Sequence, residues 1–181
     1  GGAGAGVLGP FIAGGPAEAI DLASIVDLTG RTEWEAPPGR WTVLRFGHTG
    51  TGKTTHPSTT PGLEADKMSR ESMRFHFEQM YGPVFADSPE QTGKAFRFLL
   101  LDSWEAGCAN WTPRMPQEFS RRRGYHLWSW LPVFTGRAVQ DAEATQRFLW
   151  DFRRTIGELV ADCHYGTARE FAREHGMGVY A

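Results

Sequence analysis

The segment Phe96-Arg97-Phe98-Leu99-Leu100-Leu101-Asp102-Ser103-Trp104-Glu105-Ala106-Gly107 decides the fold. Its middle, Phe98 to Leu101, is an unbroken apolar run of strand length, the pattern of a strand buried on both faces of a parallel sheet. Two carboxylates and a tryptophan follow at once. Parallel strands need crossover connections, and α/β folds place ligand sites beyond the carboxyl ends of such strands. The segment therefore predicts both an architecture and the place where chemistry belongs.

Toward the carboxyl terminus, Pro116 and Gly124 bracket a short helix with Arg121, Arg122 and Arg123 at the negative end of its dipole. A second short segment, Tyr125 to Leu131, is expected to end at Pro132. Asp141 is a cap for the strongest helix, in which Phe148, Phe152, Ile156 and Val160, with Leu149, Leu159 and Cys163, form one broad apolar stripe. That helical pattern closes at His175-Gly176, and Met177 to Ala181 reads as the start of a strand.

Toward the amino terminus, Ser69 caps a helix carrying Met73, Phe77, Met80 and Tyr81, which Gly82-Pro83 is expected to end. Gly47 to Gly62 is a long Gly/Thr/Ser/Pro loop. Before it, Ile25 to Leu28 and Trp41 to Phe46 are β-type runs expected to form antiparallel sheet. Gly1 to Gly15 holds seven glycines, too many for a stable element. From Ser69 onward the order is helix, strand, short helices, long helix, incipient strand, which suits βα repeats over a parallel sheet or barrel.

Composition narrows the function. The 181 residues carry 19 Lys+Arg against 21 Asp+Glu, a net charge of −2, so no electrostatic case exists for a nucleic-acid or anionic-membrane partner. Hydrophobic residues make up 40% of the chain, enough for a sizeable core, yet no run is long enough for a membrane span. Cys108 and Cys163 lie far apart and outside any metal-ligand spacing, and leave the redox compartment open. The absence of an initiator Met and the incipient strand at the end lead to the expectation of an internal fragment of a longer protein.

Three motifs carry possible chemistry. Gly47-His48-Thr49-Gly50-Thr51-Gly52-Lys53-Thr54 matches the phosphate-loop pattern, which makes a nucleotide-binding protein one alternative. Such a loop needs a helix opening at the lysine, and Pro57, Pro61 and Gly62 oppose one. The acidic and aromatic group Asp102, Trp104 and Glu105, continued by Asn110, Trp111 and Thr112, offers flat rings for sugar C–H faces and polar groups for hydroxyls. A glycosidase needs one such carboxyl group to protonate the leaving oxygen and another to activate water or attack carbon. The bland reading is that Asp102 caps, Glu105 pairs with an arginine and the tryptophans pack. In Gly62-Leu63-Glu64-Ala65-Asp66-Lys67, Asp66 suits the following helix N-terminus and Glu64 is a candidate oxygen ligand or sugar contact. The six histidines show no metal spacing and read as core or solvated groups. The arginine runs read as solvated faces or structural ion pairs, and Ser103 lacks a nucleophile elbow.

At these residues the chain resembles glycoside hydrolase family 106, the bacterial α-L-rhamnosidases. The resemblance is carried jointly by WTVLRFGHT (41–49), GLEADK (62–67), DSWEAG (102–107), NWT (110–112), RGY (123–125) and FLWDFRR (148–154). It implies an α/β fold, part of a (β/α)8 barrel within a larger enzyme. On that basis residues 1–50 form a β-rich segment with a disordered Gly-rich start, and residues 51–181 an incomplete α/β barrel portion. It further implies calcium dependence and an inverting mechanism with two glutamates, Glu105 being one of them and assigned as the general acid. Acid and base become distinguishable only once the group facing the leaving oxygen is known. Asp102, Trp104, Asn110 and Trp111 are then candidates to line the sugar subsite, with Glu64 there or at the calcium. The expected ligand is a rhamnose-containing oligosaccharide or polysaccharide from plant or pectic material, and the expected location periplasmic or secreted. The partner carboxylate is expected beyond Ala181, so the chain alone is expected to be inactive. A non-catalytic carbohydrate-binding module is the remaining alternative.

Overall fold

The structure, a computed structural model, describes residues 35–54, 62–102, 104 and 107–181. The expected strand Ile25 to Leu28 and the Gly-rich start lie outside them. The chain divides into two compact units, Gly50–Met115 with Arg153–Ala181, and Pro116–Phe152 with the described residues 35–49.

In the first unit, helix α1 (Arg70–Asp87) leads into strand β1 (Phe98–Leu100), and helix α4 (Gly166–Glu174) leads into strand β2 (Gly178–Tyr180). The two strands pair in parallel, with Phe98 opposite Gly178, Leu99 opposite Val179 and Leu100 opposite Tyr180. Arg70 pairs with Glu170, and Arg74 reaches both carboxylate oxygens of Glu174 at 2.7 and 2.8 Å. A shared offset of one hundred residues at both pairs means that α1 and α4 run in the same direction. Parallel helices on parallel strands are the repeat expected from the sequence. Among the described residues two strands fix that α/β order and do not close a barrel.

The core of this unit lies between the helices and one face of the sheet. Leu99, Met73, Phe77, Phe85, Phe171 and Met177 form it, with Val179 packed against them. Side chains alternate along a strand, so Leu100 and Tyr180 share the opposite face, where they are 61% and 69% exposed. Burial on both faces, expected for Phe98 to Leu101, therefore holds on one face among the described residues. The helices cover only that side.

Helix α1 does not end at Gly82-Pro83. It runs on to Asp87 with Pro83 inside it. A proline there forfeits one backbone bond and crowds a carbonyl, at a cost of about 3 kcal/mol. Phe85 offsets this, because the extra turn carries its ring into the core against Phe171, centroids 5.9 Å apart.

The second unit contains helix α2 (Met115–Arg123) from Pro116 onward, a 3₁₀ helix (Trp128–Thr135), and helix α3 (Ala142–Leu159) as far as Phe152. The 3₁₀ segment passes through Pro132 and stops at Gly136, which corrects the expected end at the proline. Its core is aromatic: Phe148 lies 5.7 Å from Phe119 and 5.5 Å from Trp130, and Phe134 lies 4.8 Å from Phe152. Asp141 caps α3 as expected, its Oδ1 accepting from the Ala144 amide at 2.7 Å. The expected strand Trp41 to Phe46 does not form. Its leading indole instead donates to the Pro37 carbonyl at 2.8 Å, a local tie across Pro38-Gly39 that needs no ladder partner.

One irregularity positions the site. Between α3 and α4 the helix is underwound into a π turn, Val160–Tyr165, where the Gly166 amide donates to the Ala161 carbonyl, five residues back. Buried positions on this helix step by three or four residues as far as Leu159, and the next, His164, comes five later. The inserted residue rotates His164 inward. Arg70 from α1 donates to the Asp162 carbonyl at 3.3 Å, satisfying part of the disturbed ladder.

Candidate functional site at the carboxyl end of strand β1

Three segments of the first unit meet beyond β1: the approach to α1, the loop after β1, and the π turn. The approach to α1 is organised by Asp66. Its Oδ1 accepts from the Met68 amide at 2.9 Å, its Oδ2 accepts from the Thr112 hydroxyl at 2.7 Å, and its carbonyl accepts from the Ser69 amide at 3.1 Å. Ser69 in turn caps α1 through the Ser72 amide. Asp66 therefore serves the helix start, as its position suggested, and also pins the far end of the loop after β1, which a sequence of local motifs does not reveal. Thr112 is almost fully buried at this junction.

The loop after β1 folds back on itself. The Trp104 indole N–H donates to the Gly107 carbonyl at 2.8 Å. Gly107 holds φ at +74°, a conformation that favours glycine, and a Cβ there would press only on the flexible Lys53 side chain at 3.2 Å. Lys53 itself closes the phosphate-loop alternative. Its carbonyl accepts from the Glu64 amide at 2.9 Å, and Thr54 bridges antiparallel to Leu63, so this pair sits in a paired extended segment rather than opening a helix.

Trp104 is the centre of the group. The Lys67 ammonium lies 5.7 Å from its ring centroid, and His164 meets it edge to face at 6.3 Å and 78°. Lys67 is also salt-bridged to Glu64, so two of the expected sugar contacts, Glu64 and Trp104, are joined through a lysine that the motifs did not single out. Burial pushes the His164 imidazole down to about 4, with the positive charges of Lys67 and His76 acting the same way and Glu64 opposing them. The ring is therefore neutral near pH 7. His76, on α1, is lowered as well, chiefly by burial.

Of the remaining expected residues, Asp102 is exposed just past β1, and Asn110 and Trp111 lie on the same loop, exposed and half-buried respectively. Glu105 and Ser103 lie outside the described residues. Among the described residues, no three His, Cys, Asp or Glu side chains converge as metal ligands. Glu64 is engaged by Lys67 and both Asp66 carboxylate oxygens are spent on protein donors. These residues do not fit a calcium ion, which takes six to eight oxygens.

Two resemblance segments prove structural. Tyr125 of RGY donates to Asp151 of FLWDFRR at 2.9 Å, and Arg121, exposed, and Arg122, largely buried, both pair with Glu118 as structural ion pairs. Among the described residues, no helix is long and apolar enough to cross a membrane.

Comparison with known proteins agrees with this geometry. The sequence profile of glycoside hydrolase family 106, described as alpha-L-rhamnosidase, matches residues 12–181. A protein of Formosa agariphila that carries the provisional name beta-glucuronidase is 41% identical over 162 residues, covering 88% of this chain and 14% of that protein. The solved rhamnosidase from Novosphingobium sp. PP1Y is 39% identical and superposes with a TM-score of 0.73, over 89% of this chain and 16% of that one. The chain thus spans about a seventh of the length of these relatives, and it belongs to glycoside hydrolase family 106, the α-L-rhamnosidase family.

Proposed function

We propose that this chain is the portion of an α-L-rhamnosidase that supplies one of two catalytic carboxyl groups and part of the sugar subsite, in an enzyme that removes terminal α-L-rhamnose from plant or pectic glycans. The observation that carries the reading is the half-exposed face of Trp104, held by Gly107, Lys67 and His164 at the carboxyl end of a parallel strand. An aromatic face in that place suits the C–H face of a pyranose, and Asp102 and Asn110 supply exposed hydrogen-bonding groups on the same loop. Glu105, which follows Trp104 in the chain, is assigned as the general acid. An inverting partner stands about 6.5–9.5 Å away with a water between, and is assigned to chain beyond these 181 residues. The chain alone is then inactive, and the complete fold is a (β/α)8 barrel acting in the periplasm or outside the cell.

A calcium requirement is proposed from the family resemblance alone, with ligands other than Glu64 and Asp66. The residues of this chain's site hold the ring and its surroundings. The name of the Formosa relative makes a glucuronide the natural competing substrate. Recognition of its carboxylate calls for an available cation, and Lys67 already faces Glu64. Rhamnose, which is neutral and carries a methyl group, is the better match to an aromatic wall with a neutralised lysine.

The test is hydrolysis by the natural gene product that contains this chain, offered 4-nitrophenyl α-L-rhamnoside and 4-nitrophenyl β-D-glucuronide, with the first-formed sugar anomer followed by proton NMR. Release of β-L-rhamnose is expected. Turnover of the glucuronide alone contradicts the substrate, retention of configuration contradicts the mechanism, and sugar binding without turnover of either makes the protein a binding module.

A further inference from the structure

The π turn leaves a feature that packing does not explain. His164 is 9% exposed and Thr167 1% exposed, and among the described residues His164 Nδ1 and Thr167 Oγ1 are both buried without a hydrogen-bond partner. They stand three residues apart on the inward side of the helical run from the π turn into α4, a spacing at which helical side chains are neighbours. Each such group is destabilising when left unpaired, and a phenylalanine and a valine would fill the same space without that cost. The imidazole also meets Trp104 edge to face, and Trp104 is the aromatic wall of the site. Helical π insertions that bring polar groups inward are characteristic of functional sites.

We propose that His164 and Thr167 act as a pair of positioning residues, sharing one buried water through Nδ1 and Oγ1, so that the imidazole is held at the tilt that braces Trp104 for a sugar ring. The proposal deepens the glycosidase reading and rests on it. The neutral imidazole suits the role, because its Nδ1 either accepts from or donates to a water according to tautomer, and the threonine hydroxyl does both. Neither residue touches the substrate; each acts through the tryptophan. Their loss should therefore weaken ground-state sugar binding and spare the chemical step.

The experiment is a double-mutant cycle in the natural gene product, read as KM and kcat on whichever of the two 4-nitrophenyl glycosides the wild type cleaves. His164→Phe keeps the ring and removes the polar atom; Thr167→Val keeps the shape and removes the hydroxyl. Each is expected to raise KM five- to tenfold with kcat within twofold. Because both act through one water, the double variant should match either single variant, whereas independent effects would multiply to 25-fold or more. Thr167→Ser, which restores the hydroxyl, should return KM to within twofold of wild type. Unchanged KM in both single variants, multiplying effects, or kcat falling in step with thermal stability overturns the proposal. A wild type that cleaves only the glucuronide overturns the rhamnose reading and leaves the cycle readable. No turnover of either glycoside, with no binding of L-rhamnose or D-glucuronate by calorimetry, overturns both. If the wild type binds a sugar without turnover, the same cycle is read in Kd with the same expected ratios.

Discussion

The two units differ in whether their buried polar groups are all paired among the described residues. In the second unit, Thr145 is fully buried and saturated, its hydroxyl donating to the Val139 carbonyl at 3.1 Å and accepting from the Val139 amide at 3.0 Å. Tyr125 likewise finds Asp151, and the rings of Phe119, Trp130, Phe134 and Phe148 fill the space between. In the first unit the helical ladder is broken by a π turn, two buried polar atoms are unpaired among the described residues, and the tryptophan against His164 stays 43% exposed. Local rules are kept where a segment only has to hold together. They are broken beside the end of β1, where the proposed sugar subsite lies.

The largest expected effect falls on the saturated side. Phe148→Ala removes a fully buried ring and should cost about 3–5 kcal/mol of stability, read by denaturant unfolding of the natural gene product, while the folded fraction keeps its KM. A shifted KM would erase the contrast between the units.

The next effect belongs to His164. Its folded value of about 4 lies below the ordinary 6.5, so the unfolded chain binds a proton that the folded chain refuses. The sign follows: the contribution is complete above pH 6.5 and is lost as pH falls toward 4, by roughly 1–3 kcal/mol. The groups facing this ring are Lys67, His76 and Glu64. Thermal midpoints of wild type and His164→Phe should diverge over that window, the variant losing less. Parallel curves would show that the imidazole is not held neutral by its surroundings.

The smallest of the three sharpens the contrast within kinetics. Trp104→Ala should raise KM about tenfold, near 1.4 kcal/mol, with a stability change under about 1 kcal/mol, since so much of the ring is exposed. Loss of stability without a change in KM would make Trp104 a packing residue like those of the second unit.

Much of this was legible in the residues. The run Phe98 to Leu101, the Ser69 and Asp141 caps and the close at His175-Gly176 each announce an element through local chemistry, and the parallel pairing follows from their order. Pro83 and Pro132 misled because burial of Phe85 and the short 3₁₀ bonding outweigh local breaker rules. Of the site, Trp104 and Glu64 could be named from their motif, but Lys67 between them could not, because its role comes from two loops meeting in space. His164 was one of six histidines without spacing. Its signal was a five-residue step in an otherwise regular apolar stripe, visible only once the buried positions are known.

The most direct test concerns the residue on which the chemistry is placed. Glu105→Gln in the natural gene product should lower kcat on an unactivated α-L-rhamnoside by about 10³-fold, within the range expected for a lost general acid, while KM stays within a few-fold. The loss should shrink on a 4-nitrophenyl rhamnoside, whose leaving group needs little protonation. Wild-type turnover of both substrates by this variant would contradict the assignment of the strand-end carboxyl group as the acid.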